Sequence, residues 1–257
     1  MTLWGHFYIP VPGLVLMGVI VWLLSSRVAS ARVDVCKRKG DYDGALRWMH
    51  WATLGYPSAR SLCSEALILS QAGRLMEAER LCRRAIAMKG GSAYPRAQAL
   101  LGFILMDAGR YALAEQSYRE AVHAGDPMGI AHSGLAELLL VQGVDAERAL
   151  ASTDRGIELA QQDERGLVHW AHYANRAWAL GLLGRGDEAR ESLRRALSVP
   201  YGRPTASGTA ELHWRVGMAL VAMRYTNEAC HHFQLGKDVD PRGKYGKRCS
   251  ETLRKTE

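Results

Sequence analysis

One short stretch recurs along this chain of 257 residues, and it limits what the chain can fold into. The stretch reads GRYALAEQSYREAV at 109–122, GRLMEAERLCRRAI at 73–86 and GRGDEARESLRRAL at 184–197. Aligning the first residue of each copy gives six copies, spaced by 33, 36, 34, 41 and 40 residues, which begin at Gly40, Gly73, Gly109, Gly143, Gly184 and Arg224. A repeat of this length is typical of stacked helical hairpins.

Two small residues occupy fixed places in every copy. The first is an alanine five residues after the opening residue, or six in the fourth copy: Ala45, Ala78, Ala114, Ala149, Ala189 and Ala229. The second follows seven residues later: Ala52, Ala85, Ala121, Gly156, Ala196 and Gly236. Seven residues make about two helical turns, so both lie on one helix face and let a neighbouring helix approach closely. The pattern predicts helix packing rather than catalysis.

The segment before each opening is predicted to form the first helix of a hairpin. In RAQALLGFILMDAG (96–109), Leu101, Leu105 and Ala108 recur at helical spacing. Gly109 then ends the helix, because a residue without Cβ adopts positive φ at little cost. The small residues expected to face the second helix are Ala66, Gly102, Ala136, Ala177 and Gly217.

A helix, a glycine turn and a second helix with small-residue positions resemble the tetratricopeptide repeat. Pro57 and Pro241 also fall where that family carries proline, near position thirty-two. The resemblance implies an all-α, right-handed solenoid of about six hairpins over residues 27–241. Three departures stand out: Val33 at the small eighth position of the first copy, one extra residue in GVDAERALASTD of the fourth, and Arg224 in place of glycine in the sixth.

The last residues, 242–257, predict a separate C-terminal helix. Tyr245, Cys249 and Leu253 are four residues apart, which makes one apolar stripe on a charged segment. Such a helix is expected to cap the exposed end of the stack.

Residues 1–26 predict a transmembrane anchor. Thr2–Ser26 contains no Asp, Glu, Lys or Arg, and residues 8–24 are almost continuously apolar. With its uncharged flanks this run is long enough to cross a hydrocarbon layer of about 30 Å. A buried helix is one alternative. A cleaved signal peptide is another, because ASA at 29–31 has the form of a cleavage site, although the segment lacks the basic start of a signal.

Charge on the two sides of the apolar run predicts its orientation. No Lys or Arg precedes the run, whereas Arg27, Arg32 and 37–39 (KRK) follow it. The positive-inside rule therefore places the repeats in the cytoplasm and predicts a single-pass membrane protein. A resemblance to bacterial single-span tetratricopeptide proteins implies that the membrane is a bacterial inner membrane. Five cysteines without a CxxC pair suit reduced thiols in that compartment better than disulfides or a zinc site.

No motif for catalysis or cofactor binding occurs in the sequence. His169 and His172 are three residues apart and could share a metal, but no carboxylate or cysteine completes a set with that pair; His231 and His232 are adjacent, and solvated or hydrogen-bonded histidines explain both pairs. Phosphate-loop, dinucleotide, nucleophile-elbow and zinc-protease signatures are absent. The basic pairs Arg83–Arg84 and Arg194–Arg195 on predicted second helices lack the interleaved aromatic residues that would stack on nucleic-acid bases. The sequence predicts no enzyme, no cofactor, no metal and no nucleic-acid partner.

The resemblance implies a protein-binding groove lined by the first helices. Positions that line the groove in that family fall here on Arg60, Cys63, Arg96, Phe103, Met106, Glu137, Trp178, Trp214 and Met218. Aromatic and methionine side chains in a concavity favour an apolar peptide or helix as the ligand. The alternative is that a neighbouring repeat or a long loop covers some of the tryptophans.

Together these features predict a membrane-anchored scaffold that binds proteins at the cytoplasmic face. The chain resembles bacterial single-span tetratricopeptide proteins that assist the assembly of envelope and membrane complexes. Two alternatives have the same repeats: a structural accessory subunit of a larger membrane complex, and an exported periplasmic binding module whose signal is cleaved.

Overall fold

A computed structural model describes residues 27–53, 57–88, 95–126, 129–162, 168–199 and 205–256. Within these ranges the chain forms helices and turns and no strand. Residues 27–38 are helical (α1). The following helices are α2 (Tyr42–Thr53), α3 (Ala59–Gln71), α4 (Leu75–Met88), α5 (Pro95–Asp107), α6 (Tyr111–His123), α7 (Ile130–Gln142), α8 (Ala146–Gln162), α9 (Trp170–Leu182), α10 (Gly186–Ser198), α11 (Ala206–Ala222), α12 (Thr226–Val239) and α13 (Lys244–Thr256).

The predicted anchor, residues 1–26, lies outside the described residues. In the part of the chain that the structure does describe, no helix combines the length and the apolar character needed to cross a membrane.

Successive helices pair as antiparallel hairpins, and the hairpins stack in chain order. α3 packs on α4, α5 on α6, α7 on α8, α9 on α10 and α11 on α12. Each first helix from α3 to α9 also contacts the first helix of the next hairpin. The predicted all-α repeat architecture is therefore confirmed.

The small residues of the repeat lie at the contacts between helices. The alanines of the first position are all fully buried: Ala45, Ala78, Ala114, Ala149, Ala189 and Ala229. In the third hairpin, the ring of Tyr118 on α6 fits against Gly102 on α5, where a Cβ would lie 2.6 Å from the ring. The fourth copy keeps this packing despite its extra residue, since Thr153 is also fully buried. We call these contacts within each hairpin the seams.

The turns inside the hairpins use the left-handed backbone conformation. Five of the six opening residues are glycines with φ between 66° and 81°: Gly40, Gly73, Gly109, Gly143 and Gly184. The sixth, Arg224, adopts the same conformation with φ of 66°, and it is the one non-glycine residue with positive φ in the described ranges. The turn geometry is thus retained where the sequence departs from the pattern.

The stack curves so strongly that its first and last repeats touch. The hydroxyl of Tyr42, at the start of α2, donates a hydrogen bond of 2.5 Å to the carboxylate of Asp240, 198 residues later. A Cβ on Gly40 would lie 3.9 Å from the Cβ of Ala206, at the start of α11. The row of first helices α3, α5, α7, α9 and α11 therefore encloses a concave surface, which we call the inner face.

The C-terminal helix α13 packs on the last hairpin and also reaches the inner face. It contacts α11 and α12, and it contacts α3 at the other end of the row of first helices. Of the predicted apolar stripe, Tyr245 and Cys249 are buried and Leu253 is half-buried. α13 therefore does more than cap the stack, which is the role that the apolar stripe predicts for it.

Candidate protein-binding face

The nine residues at the groove positions of the repeat differ in exposure. Arg60 and Arg96 are exposed at the starts of α3 and α5, and Phe103 and Met218 are half-buried. Four are buried: Met106, Glu137, Trp178 and Trp214. Cys63, which also falls on a groove position of the repeat, is buried as well.

Trp178 and Trp214 meet on the inner face. Their ring centroids are 5.8 Å apart with the planes at 88°, an edge-to-face contact between α9 and α11. Stacking of the first helices predicts this contact. The two side chains are nevertheless only 4% and 6% exposed. The tryptophans therefore do not line an open groove in this structure.

Helix α13 covers Trp214, which packs edge-to-face on Trp178. The ring centroid of Tyr245 is 5.8 Å from that of Trp214, and the guanidinium carbon of Arg248 is 5.0 Å from the Trp214 ring centroid. Tyr245 and Cys249 belong to the same apolar cluster as both tryptophans. The aromatic part of the inner face is thus occupied by the chain's own C-terminal helix.

A buried ionic network joins three first helices beside the tryptophans. Arg215 on α11 donates to Glu137 on α7 at 2.8 Å and to Glu211 at 2.6 Å. Its other terminal nitrogen donates to Asn175 on α9 at 2.7 Å, and Asn175 donates to the backbone oxygen of Ser133 at 3.0 Å. Both Arg215 and Glu137 are fully buried. The network fixes how α7, α9 and α11 lie against one another.

The electrostatics of this network follow from burial and from the nearby opposite charges. Burial raises the pKa of Glu137, and the positive charges of Arg215 and Arg248 oppose that rise. Burial also acts to raise the pKa of Glu211, but Arg215 and Lys244 outweigh it, so that pKa lies below its usual value. The carboxylates therefore depend on the cations around them to keep their charge.

Two of those cations come from α13. Lys244 and Arg248 both bind Asp107 at the end of α5, at 2.5 Å and 2.9 Å. Arg248 also lies 4.0 Å from the second oxygen of Glu137. The C-terminal helix is consequently linked by charge to α5 and α7 as well as packed on the last hairpin.

The histidines have packing and capping roles. His169 accepts a hydrogen bond of 3.3 Å from the Ala171 amide at the start of α9, and His172 is buried. His232 lies with its Nδ1 2.9 Å from Nδ1 of His213 on α11, whereas adjacent His231 is exposed. Burial, followed by the charge of His213, lowers the pKa of His232 to about 4. Among the described side chains, no group of three potential metal ligands comes together.

Sequence comparison identifies the repeats. Two family models described as "Tetratricopeptide repeat" match residues 95–123 and 170–195, which correspond to the hairpins α5–α6 and α9–α10. The chain therefore contains tetratricopeptide repeats. No curated protein sequence matches it.

Solved structures share the tetratricopeptide solenoid at low sequence identity. A tetratricopeptide repeat protein from Parabacteroides merdae is 18% identical with a TM-score of 0.57, and the match covers 91% of this chain and 84% of that chain. TTC0263 from Thermus thermophilus is 18% identical with a TM-score of 0.54, covering 77% and 98%. A chain of the APC/C hetero-tetramer Cut9–Hcn1 is 15% identical with a TM-score of 0.60, covering 92% and 46%. These likenesses show the fold alone.

The tetratricopeptide fold is in general a non-catalytic scaffold for protein–protein interaction. On the inner face, hydrogen bonds from Arg215 to Asn175, Glu137 and Glu211 hold neighbouring first helices in a fixed arrangement. Repetition of the hairpins places side chains from several first helices along one continuous surface, which suits an extended ligand.

Proposed function

We propose that this tetratricopeptide repeat protein is a membrane-anchored scaffold. It binds other proteins through the inner face at the cytoplasmic side of a bacterial membrane, and it serves the assembly of a membrane or envelope complex. The observation that carries the proposal is the charge-free run Thr2–Ser26 placed directly before basic residues and an interaction fold.

The basic residues after the run support the proposed orientation. Arg27 and Arg32 are exposed on α1, so their charges are available to lipid headgroups beside the proposed span. The Arg32 guanidinium carbon lies 5.9 Å from the ring centroid of Trp48 on α2, which ties the basic segment to the first repeat.

The open part of the inner face supports binding of a protein partner. Arg60 and Arg96 project from the starts of neighbouring first helices, and Phe103 is half-buried on the same α5 helix. Its ring packs edge-on against Tyr118 at a centroid distance of 5.4 Å, which holds it in place. Exposed arginines and an aromatic ring are residue types that are enriched in protein interfaces.

Membrane extraction tests the anchor. The full chain should stay in the membrane pellet after alkaline carbonate treatment, and a chain lacking residues 1–26 should be released. Protease added to intact spheroplasts should leave residues 40–257 uncut and should degrade them after lysis. Degradation before lysis would instead place the repeats outside, and a mature N-terminus after Ala31 would identify a cleaved signal.

Site-specific crosslinking tests the binding face. A photoreactive residue at Arg96 should crosslink a protein partner in native membranes, whereas the same residue at Arg194, exposed on second helix α10, should not. Crosslinks from Arg194 alone would move the binding site to the outer surface. Crosslinks confined to the anchor would favour an accessory subunit that is held through its span.

A further inference from the structure

The position of α13 on the inner face indicates what kind of ligand that face accepts. We infer that the inner face is a binding site for a basic amphipathic helix with an aromatic side chain, and that α13 occupies this site as an exchangeable ligand from the same chain. The inference rests on the proposed scaffold function and names the class of partner that the scaffold binds.

Charge complementarity supports a basic ligand. The inner face brings together three carboxylates, Asp107, Glu137 and Glu211, and one guanidinium, Arg215, so three negative charges and one positive charge leave a net charge of −2. Lys244 and Arg248 supply two positive charges from α13, which balances the site. Without a basic helix, Asp107 would have no cation within ion-pair distance among the described residues.

Aromatic contacts specify the ligand further. Tyr245 packs on Trp214, and Arg248 lies over both rings, with its guanidinium carbon 5.0 Å from the Trp214 centroid and 5.4 Å from that of Tyr245. Such cation–π contacts strengthen when water is excluded. Beside them, Cys249 fills the space over Gly236 of α12, where a Cβ would lie 2.6 Å from its sulfur.

The residues of α13 that contact the inner face form a short sequence pattern. Lys244, Tyr245 and Arg248 are at i, i+1 and i+4, so they lie around one side of α13, and Cys249 adds a small apolar contact. A partner helix with lysine, an aromatic residue, two spacers, arginine and a small apolar residue would therefore satisfy the same carboxylates and rings.

The contacts of α13 suit exchange better than those of the seams. Lys244 and Arg248 remain 14% and 23% exposed, whereas the first-position alanines of the seams are fully buried. Gly246 within the helix lowers its intrinsic stability, and Arg254 and Lys255 in its last turn are exposed. Asp240 lies between α12 and α13, and its hydrogen bond to Tyr42 fixes the point from which α13 starts. A released α13 therefore stays near the site at high effective concentration.

Peptide binding to the full-length protein tests the inference. The probe is a fluorescent peptide of residues 242–257, added to detergent-solubilised wild type, Arg248→Glu or Lys247→Glu. Arg248→Glu places a like charge beside Asp107 and should free the site, so the peptide should bind it at least about tenfold more tightly than wild type. Lys247→Glu makes the same charge change at an exposed position of α13 and should bind as wild type does.

A second change tests whether the peptide uses the same site. Adding Asp107→Asn to the Arg248→Glu chain should weaken peptide binding by about tenfold, because it removes the acceptor of both cations. Equal peptide binding by wild type and Arg248→Glu would overturn the inference. Loss of helix content in Arg248→Glu would also overturn it, since α13 would then be a fixed part of the fold.

Hydrogen exchange of the wild-type protein gives an independent reading. Amides of α13 should exchange faster than those of α11 and α12. Exchange as slow as that of α11 would contradict an exchangeable helix. Crosslinking from Arg96 without peptide exchange would overturn this inference alone, whereas peptide exchange without any crosslinked partner would overturn the proposed function alone.

Discussion

The seams within the hairpins and the inner face of the stack are both buried, but they are built from opposite chemistry. Seams consist of alanine or glycine against apolar side chains, between helices that are adjacent in the chain. The inner face consists of charges and aromatic rings whose partners are 78 residues apart for Arg215 and Glu137, and 141 for Arg248 and Asp107. The seams build each hairpin, and the inner face fixes how distant hairpins meet.

The two regions also respond differently to loss of a side chain. Burying small apolar residues in a seam costs no polar desolvation. Because the seam is closely packed, the substitutions that destabilise it are those that add volume. A buried charge is stable only with its partner, so the weakness of the inner face is an unpaired group. Substitutions in each region should therefore differ in size and in mechanism.

Arg215→Met should have the largest effect. It leaves the buried carboxylate of Glu137 without its 2.8 Å partner and removes the links to Asn175 and Glu211. We expect the free energy of unfolding of the repeat region to fall by about 3–5 kcal/mol, measured by urea denaturation.

Two further variants separate charge from packing at this site. Arg194→Met removes an exposed arginine from α10 and should change stability by less than about 0.5 kcal/mol. Adding Glu137→Gln to Arg215→Met should recover part of the loss, since no charge then remains unpaired on α7. If the double variant is less stable than Arg215→Met alone, volume rather than charge dominates at the inner face.

Ala114→Leu should have the next effect, through a seam. Ala114 is fully buried against the third hairpin, so the larger side chain must displace its neighbours, and we expect a loss of about 1–3 kcal/mol in thermal or urea unfolding. Ala112→Leu adds the same volume at an exposed position two residues earlier on α6 and should be nearly neutral. Equal stability of the two variants would show that this seam has room to expand.

The seams could be predicted from the sequence because their small residues recur in all six copies of the repeat. Each copy carries the alanine that becomes buried, and stacking of the copies also predicts the contact between Trp178 and Trp214. A cover from a neighbouring repeat or a loop is an alternative that the sequence allows, but no sequence pattern places α13 over those rings. An apolar stripe shows only that Tyr245 and Cys249 face a protein surface, and it does not say which surface.

The sequence does not predict the ionic network either. Glu137 falls on a groove position of the repeat, but no pattern pairs it with Arg215, since the pairing depends on how tightly the stack curves. The one available signal was the presence of Lys244 and Arg248 on the same helix as the apolar stripe. Basic residues beside a buried stripe could have indicated carboxylates on the surface that receives the helix.

Arg224→Gly should have the smallest effect, and it tests whether the turn of the last hairpin carries strain. Arg224 holds a turn conformation, φ 66°, that the other five hairpins reach with glycine. A side chain in the left-handed region costs about 1–2 kcal/mol, which glycine avoids. Glycine also makes the unfolded chain more flexible, and this offsets part of the gain in stability. We therefore expect a gain of about 0.5–1 kcal/mol in urea unfolding. Arg224→Ala removes the same charge but keeps a Cβ at positive φ, so it should give no gain; an equal gain from alanine would assign the effect to the arginine side chain instead of the turn.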